Sequence, residues 1–154
     1  MPVLLVRHAR AKSRQNWTGD DVDRPLTKPG RRQAEKLVEL LSPYSPARVL
    51  SSPYLRCVRT VQPLADSLDL KVERVDALGE GRIDDTLKLL GELVDEAAVV
   101  CTHGDVVPAV LEALADREST ALPESREWAK GSTWVLETAD GRYRSARYID
   151  APRG

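Results

Sequence analysis

The chain has 154 residues, 42% of them apolar, with 23 basic and 24 acidic side chains for a net charge of -1. That length suits one core burying roughly 70% of the unfolded chain's surface, and the near-neutral balance excludes a global bias toward nucleic acid or an anionic membrane. No run approaches the ~20 apolar residues that cross a bilayer, and VLLV after Met1-Pro2 is too short for a secretory leader, so the expectation is one cytoplasmic domain spanning residues 1–154. Cys57 and Cys101 lack metal-type spacing and are expected to be buried, reduced thiols. No heptad or exposed apolar stripe stands out, which leaves a monomer as the default.

The chain opens on VLLVRHARAKS (3–13), a buried-strand pattern that runs into Arg7 and His8. A polar stretch over 9–26 leads to TKPGRRQAEKLVELL, where Thr27 can cap a helix whose apolar positions include Ala34, Leu37, Val38 and Leu41. Pro43 and Pro46 close it. ARVLSS (47–52) reads as a second buried strand, residues 53–70 as a helix interrupted or bent at Pro63, and KVERV (71–75) as a third strand. Residues 84–96 have helical spacing despite Gly91. AAVVCTH (97–103) is the most strand-like run, and it too ends in a histidine. Residues 105–116 form a helix with Pro108 in its first turn, followed by a polar connection through Lys130. STWVLET and RYRSARYI flank Ala139-Asp140-Gly141, an Asp-Gly hairpin signal. This alternation predicts an α/β fold: a three-layer sandwich with a mostly parallel central sheet flanked by helices and an antiparallel strand pair near the C-terminus.

Open α/β sheets bind ligands beyond the carboxyl ends of their strands. His8 and His103, the only two histidines, fall at equivalent strand ends, as do Ser51 and Ser52, with Arg56 one turn into the next helix and Glu80 after the third strand. Taken singly, His8 reads as an imidazole satisfied by a carbonyl, Arg56 as an ion-paired helix residue and LGEG around Glu80 as a surface turn. Taken together, Arg7 and Arg56 offer planar donor forks suited to a phosphate or carboxylate, and Gly104 with the helix after it adds an anion-binding N-terminus. No GxxxxGK occurs, and neither cysteine has Arg six positions on, since Pro63 and Val107 stand there. Two histidines and a carboxylate could ligate a metal, but no paired histidines at helical spacing accompany them. A histidine nucleophile is what survives.

LLVRHARAK, RPLTKPGRRQA, VLSSPYLRCVRT and VVCTHGD, in this order, resemble the histidine phosphatase (phosphoglycerate mutase-like) superfamily, especially its short SixA-like branch of phosphohistidine phosphatases. Ala9 stands where most of the superfamily has Gly, as SixA-like members often show. The resemblance implies that His8 attacks phosphorus and carries a phosphohistidine, while Arg7, Arg56 and His103 clamp the phosphoryl oxygens. Glu80 is the implied acid for the leaving group, with Asp21 the alternative and Asp20 and Asp23 close by. No metal and no organic cofactor is implied. Arg10, Lys12 and Arg14 add positive charge near the mouth, with Lys12 expected to touch phosphate. Segments 9–26, 79–84 and 116–131 are expected to rim the crevice, and they are short, which fits an open mouth.

The implied partner is a phosphorylated protein, as in protein phosphohistidine, or a small phosphoester, with no nucleic acid polymer and no membrane. The stretch SSPYLRCVRTVQPLADSLDLKVE also resembles the histidine phosphatase domain fused to Nudix hydrolases, where nucleotide di- or polyphosphates are the implied substrates and Trp17 or Trp128 could stack on a base. A non-catalytic phosphate-binding module is the alternative from outside the enzymes.

Overall fold

The computed structural model describes all 154 residues, and its strands and helices alternate as the apolar patterning predicts. In chain order they are β1 (Val3–Arg7), α1 (Lys28–Leu41), β2 (Arg48–Ser51), α2 (Leu55–Ser67), β3 (Val72–Arg74), α3 (Ile83–Leu93), β4 (Ala98–Thr102), α4 (Val106–Glu118), β5 (Thr133–Ala139) and β6 (Arg142–Ile149). One six-stranded sheet has the order β3-β2-β4-β1-β5-β6. The β3-β2, β2-β4 and β4-β1 pairs are parallel, whereas β1-β5 and β5-β6 are antiparallel. The antiparallel part is thus one strand pair wider than the C-terminal hairpin alone.

The period of two in each central strand divides the core between two layers. Val3 and Leu5 of β1 with Ala98 and Val100 of β4 point to the side covered by Leu90, Leu93, Val110 and Leu111 of α3 and α4. Leu4, Val6, Val99 and Cys101 point to the other side, against Leu37 and Leu41 of α1 and Cys57, Val61 and Leu64 of α2. Every residue of β4 is buried, as expected for a parallel strand covered on both faces. Both cysteines are free and buried. No helix is long and apolar enough to cross a membrane.

Local chemistry sets the element ends. Thr27 Oγ1 accepts from Gly30 N at 3.1 Å and caps α1. Asp140 and Gly141 have φ of 54° and 75°, the left-handed pair that a two-residue hairpin turn requires. The expected break at Pro63 does not occur: α2 runs through it. Pro63 lies on the outer side of the helix with exposed Arg59 and Asp66, so the carbonyl it leaves unpaired, that of Arg59, is within reach of solvent. Helix α3 starts one residue before the expected start at 84 and stops at Leu93, short of residue 96, because Val94 is extended and Asp95 takes φ of 71°. The polar stretch over 9–26 is ordered by an antiparallel bridge between Ala11 and Leu26 and by single 3-10 turns at Arg14–Asn16 and Asp21–Asp23.

Candidate active site

Pairing of β1 with β4 brings the two histidines together. Arg7 is in register with Thr102, His8 N donates to Thr102 O at 3.1 Å, and the imidazole centroids stand 5.7 Å apart, edge to face. Arg56 comes from the first turn of α2, directly after β2. These three elements and the loop holding Glu80 enclose a cavity of about 410 Å³, within the range of small-molecule sites. Arg7, His8, Arg14, Arg24, Arg56, Glu80, His103, Gly104, Asp105 and Lys130 line it.

His8 is 7% exposed, and its Nδ1 faces the Ala9 carbonyl at 2.8 Å. A carbonyl only accepts, so Nδ1 carries the proton and Nε2 keeps its lone pair. Burial lowers the His8 pKa to about 3; the Ala9 hydrogen bond is the next largest effect and opposes it, and the positive charge of Arg56, His103 and Arg7 adds to the lowering. The ring is therefore neutral and nucleophilic at physiological pH. Thr60 steadies this segment: its hydroxyl donates to the Arg56 carbonyl at 2.7 Å and accepts from Ala9 N at 2.8 Å.

His103 is 1% exposed, with Nε2 at 2.9 Å from Ser52 Oγ and 3.6 Å from Cys57 Sγ. Tyr54 N donates to Ser52 Oγ at 3.3 Å, and a neutral His103 ring that accepts the serine proton at Nε2 carries its own on Nδ1. That nitrogen is buried without a partner, and so are Nε of Arg7 and Nε of Arg56. Each unsatisfied buried donor costs about 1–3 kcal/mol, so three of the chain's five such atoms on residues lining one cavity mark a site built for an anion. The Arg7 guanidinium lies flat against Gly104, close enough that a Cβ there would stand 2.5 Å from its Cζ, and its Nη1 donates to the Trp128 carbonyl at 2.7 Å.

The two candidate acids have different surroundings. Asp21 accepts from Arg24 Nε at 2.9 Å and from Arg56 Nη2 at 3.2 Å, and its carbonyl takes Arg56 Nη1 at 2.9 Å. Burial pushes its carboxyl upward, but the two guanidiniums outweigh this and hold it below the usual carboxylate range. A carboxylate so held orients Arg56 and makes a poor proton donor. Glu80 meets Arg14 Nη2 at 2.8 Å and Arg56 Nη2 at 3.9 Å, and the Arg14 side chain is 67% exposed. Such a surface pair contributes about 0–1 kcal/mol and is readily given up. The Glu80 loop is tied to the start of α4, since Gly81 N donates to Asp105 Oδ2 at 2.9 Å. Asp20 and Asp23 do not line the cavity.

Lys12 corrects the sequence expectation. Ala11, bridged to Leu26, lines the cavity and Lys12 does not; the Lys12 ammonium sits 5.8 Å from the Trp17 ring centroid. Arg10 is outside the lining as well, and Arg14 is within it. Trp17 is engaged by its own loop, with Nε1 donating to the Asp20 carbonyl. Trp128 is 38% exposed beside Arg7. Arg24, Asp105, Thr60 and Lys130 were not anticipated. Gln33, buried on the α1 stripe four residues before Leu37, could have been: its side chain takes Arg10 N and donates to the carbonyls of Lys130 and Pro152. No group of three or more His, Cys, Asp or Glu side chains is placed to hold a metal ion.

Comparison with known proteins accords with this geometry. Residues 3–89 match the model of the histidine phosphatase superfamily (branch 1). The 8-oxo-(d)GTP phosphatase of Mycolicibacterium smegmatis is 36% identical over 156 residues, covering 97% of this chain but 48% of that protein, so the chain spans about half the length of this relative. Among solved structures, a protein from Agrobacterium tumefaciens assigned to the SixA phosphohistidine phosphatases superposes with a TM-score of 0.74 at 25% identity, covering 98% of each chain. A second SixA-type protein, from Nakamurella multipartitia, gives a TM-score of 0.73 at 26% identity, covering 97% of this chain and 95% of its own.

Proposed function

Because the chain belongs to the histidine phosphatase superfamily, branch 1, we propose that it hydrolyses phosphoric monoesters through a phosphohistidine on His8, without a metal. The observation that carries this is the neutral, Nε2-free imidazole in a cavity also lined by Arg7, Arg56 and His103, each of which has a buried nitrogen without a hydrogen-bond partner. In the first step the Nε2 lone pair attacks phosphorus in line, the ester P–O bond breaks, and the departing oxygen takes a proton from the Glu80 carboxyl. Arg7, Arg56 and His103 stabilise the charge on the three equatorial oxygens. In the second step water attacks the phosphohistidine, gives its proton to the Glu80 carboxylate, and the P–N electron pair returns to His8. Asp21 acts through Arg56, holding its fork in the plane the oxygens need.

For the substrate, a nucleotide phosphate is favoured by the relative named for 8-oxo-(d)GTP, which aligns with nearly all of this chain. The half-exposed Trp128 indole beside Arg7 offers a base a surface to stack on. Protein phosphohistidine is the second reading, supported by the SixA-type neighbours.

The test is hydrolysis of an aryl phosphate in the presence of a metal chelator, with quenching in alkaline denaturant, in which a phosphohistidine survives, to trap the phosphoenzyme. Chelator-resistant turnover is expected for the native protein, together with an acid-labile phosphoenzyme that His8→Asn lacks. Turnover by His8→Asn at a comparable rate would refute the nucleophile, and phosphate binding with no turnover would leave a binding module.

A further inference from the structure

One wall of the cavity is formed by Arg24 and Lys130, two cations with no task in the two steps above. The backbone at Lys130 is held by parts of the chain far away in sequence, and Arg24 is held within its own loop. Gly131 N donates to the carbonyls of Arg7 and His8 at 3.1 and 3.0 Å, so residues 128–131 strap across the backbone of the nucleophile itself. The Lys130 carbonyl is fixed by Gln33 Nε2 at 3.1 Å. Arg24 is 8% exposed, its Nε on Asp21 at 2.9 Å and its Nη1 on the Lys12 carbonyl at 2.5 Å.

The Lys130 backbone is thus locked, while its ammonium has no carboxylate partner. Partial burial, and then the charges of Arg7, Arg24 and Arg10, lower its pKa. Arg24 is partly compensated by Asp21, whereas the exposed Lys130 ammonium beside the cavity is free to turn toward an anion bound there. The transferred phosphoryl group is assigned above to Arg7, Arg56 and His103, which leaves Lys130 and Arg24 on the same cavity for a second anion.

We propose that Lys130 and Arg24 form a second-anion subsite that takes the phosphoryl group adjoining the scissile one, so that organic diphosphates are preferred over monoesters. The fate of the terminal group rests on the phosphatase reading; the binding preference does not. Protein phosphohistidine has no second phosphoryl group and would gain nothing from the subsite.

Inorganic orthophosphate and pyrophosphate, titrated calorimetrically into the protein with a chelator present, separate the cases. The wild type is expected to bind pyrophosphate at least about tenfold more tightly, and Lys130→Gln to bring the two ligands within about threefold of each other. Arg117→Gln, which removes an equal charge from an exposed position on α4, is expected to keep the preference. Equal affinities in the wild type, or a preference that survives Lys130→Gln, overturn the subsite. Aryl phosphate turnover is read beside it. A pyrophosphate preference without turnover removes the phosphatase reading and leaves the subsite standing; turnover without a preference does the reverse.

Discussion

Gly104 is the position at which the smallest possible change strikes the phosphate clamp hardest. A methyl group on its Cα would stand 2.5 Å from Arg7 Cζ and Nη2 and 2.6 Å from Nε, whereas ordinary contact begins at 3.4 Å. The guanidinium must therefore retreat by about 1 Å, and it cannot retreat freely, because Nη1 is bound to the Trp128 carbonyl at 2.7 Å. A displacement of that size in a positioned group costs on the order of 10²-fold in rate, comparable to the loss of one donor to a developing oxyanion. Overpacking at a rigid contact adds a stability cost of ~1–3 kcal/mol. Gly104→Ala is thus expected to fold, to unfold at lower urea concentration, and to lose about 10²-fold in kcat/KM for an aryl phosphate, measured well below its Tm. A variant that unfolds early yet keeps kcat/KM within about threefold of wild type would refute the idea that this glycine sets the position of Arg7.

Glu80→Gln keeps the shape of the side chain and removes its transferable proton. It should lower kcat for an alkyl phosphate by about 10²–10⁴-fold and for a nitrophenyl phosphate, whose oxygen leaves as a stable anion, by less than about tenfold; equal losses would assign the proton elsewhere. His8 makes stability depend on pH. Its folded pKa of about 3 lies below the ordinary 6.5, so the unfolded chain binds the extra proton between those values. The contribution is complete above pH 6.5 and is lost as pH falls toward 3. At pH 5 the loss from this one group is about 2 kcal/mol, so the fall in urea-unfolding free energy from pH 7.5 to pH 5 should be greater in wild type than in His8→Asn by about that amount. Identical falls would show that the folded protein accepts the proton.

What could be read from the sequence was whatever short-range pattern encodes. The alternation of elements, the Thr27 cap and the Asp140-Gly141 turn follow from residues within one or two turns of each other. The meeting of His8 and His103 was legible because two strand ends of a parallel sheet lie on one edge whenever the strands are neighbours. Lys12 was expected at the phosphate, but its stretch is organised by the Ala11 bridge to a residue fifteen positions away, which short-range pattern does not encode. Asp21 and Glu80 could not be ranked, since their difference lies in which guanidiniums reach them. Lys130 could not be singled out within the 116–131 segment expected at the rim for the same reason: its position depends on Gln33 and on the carbonyls of Arg7 and His8, contacts spanning about a hundred residues or more.

The sheet order has a consequence for synthesis. Strands β1 and β2 leave the ribosome early, yet they do not pair with each other; the lane between them belongs to β4, which is made some fifty residues after β2. Until it arrives, two apolar strands face an open gap with unpaired amides and carbonyls, the condition in which chains capture neighbours. Closing that gap is a long-range event that slows folding, and the strap over His8 follows later still. A nascent chain therefore acquires its nucleophile first and its ability to hold an anion almost last. Addition of orthophosphate during refolding should then speed nothing before β4 inserts, and should stabilise only the finished molecule.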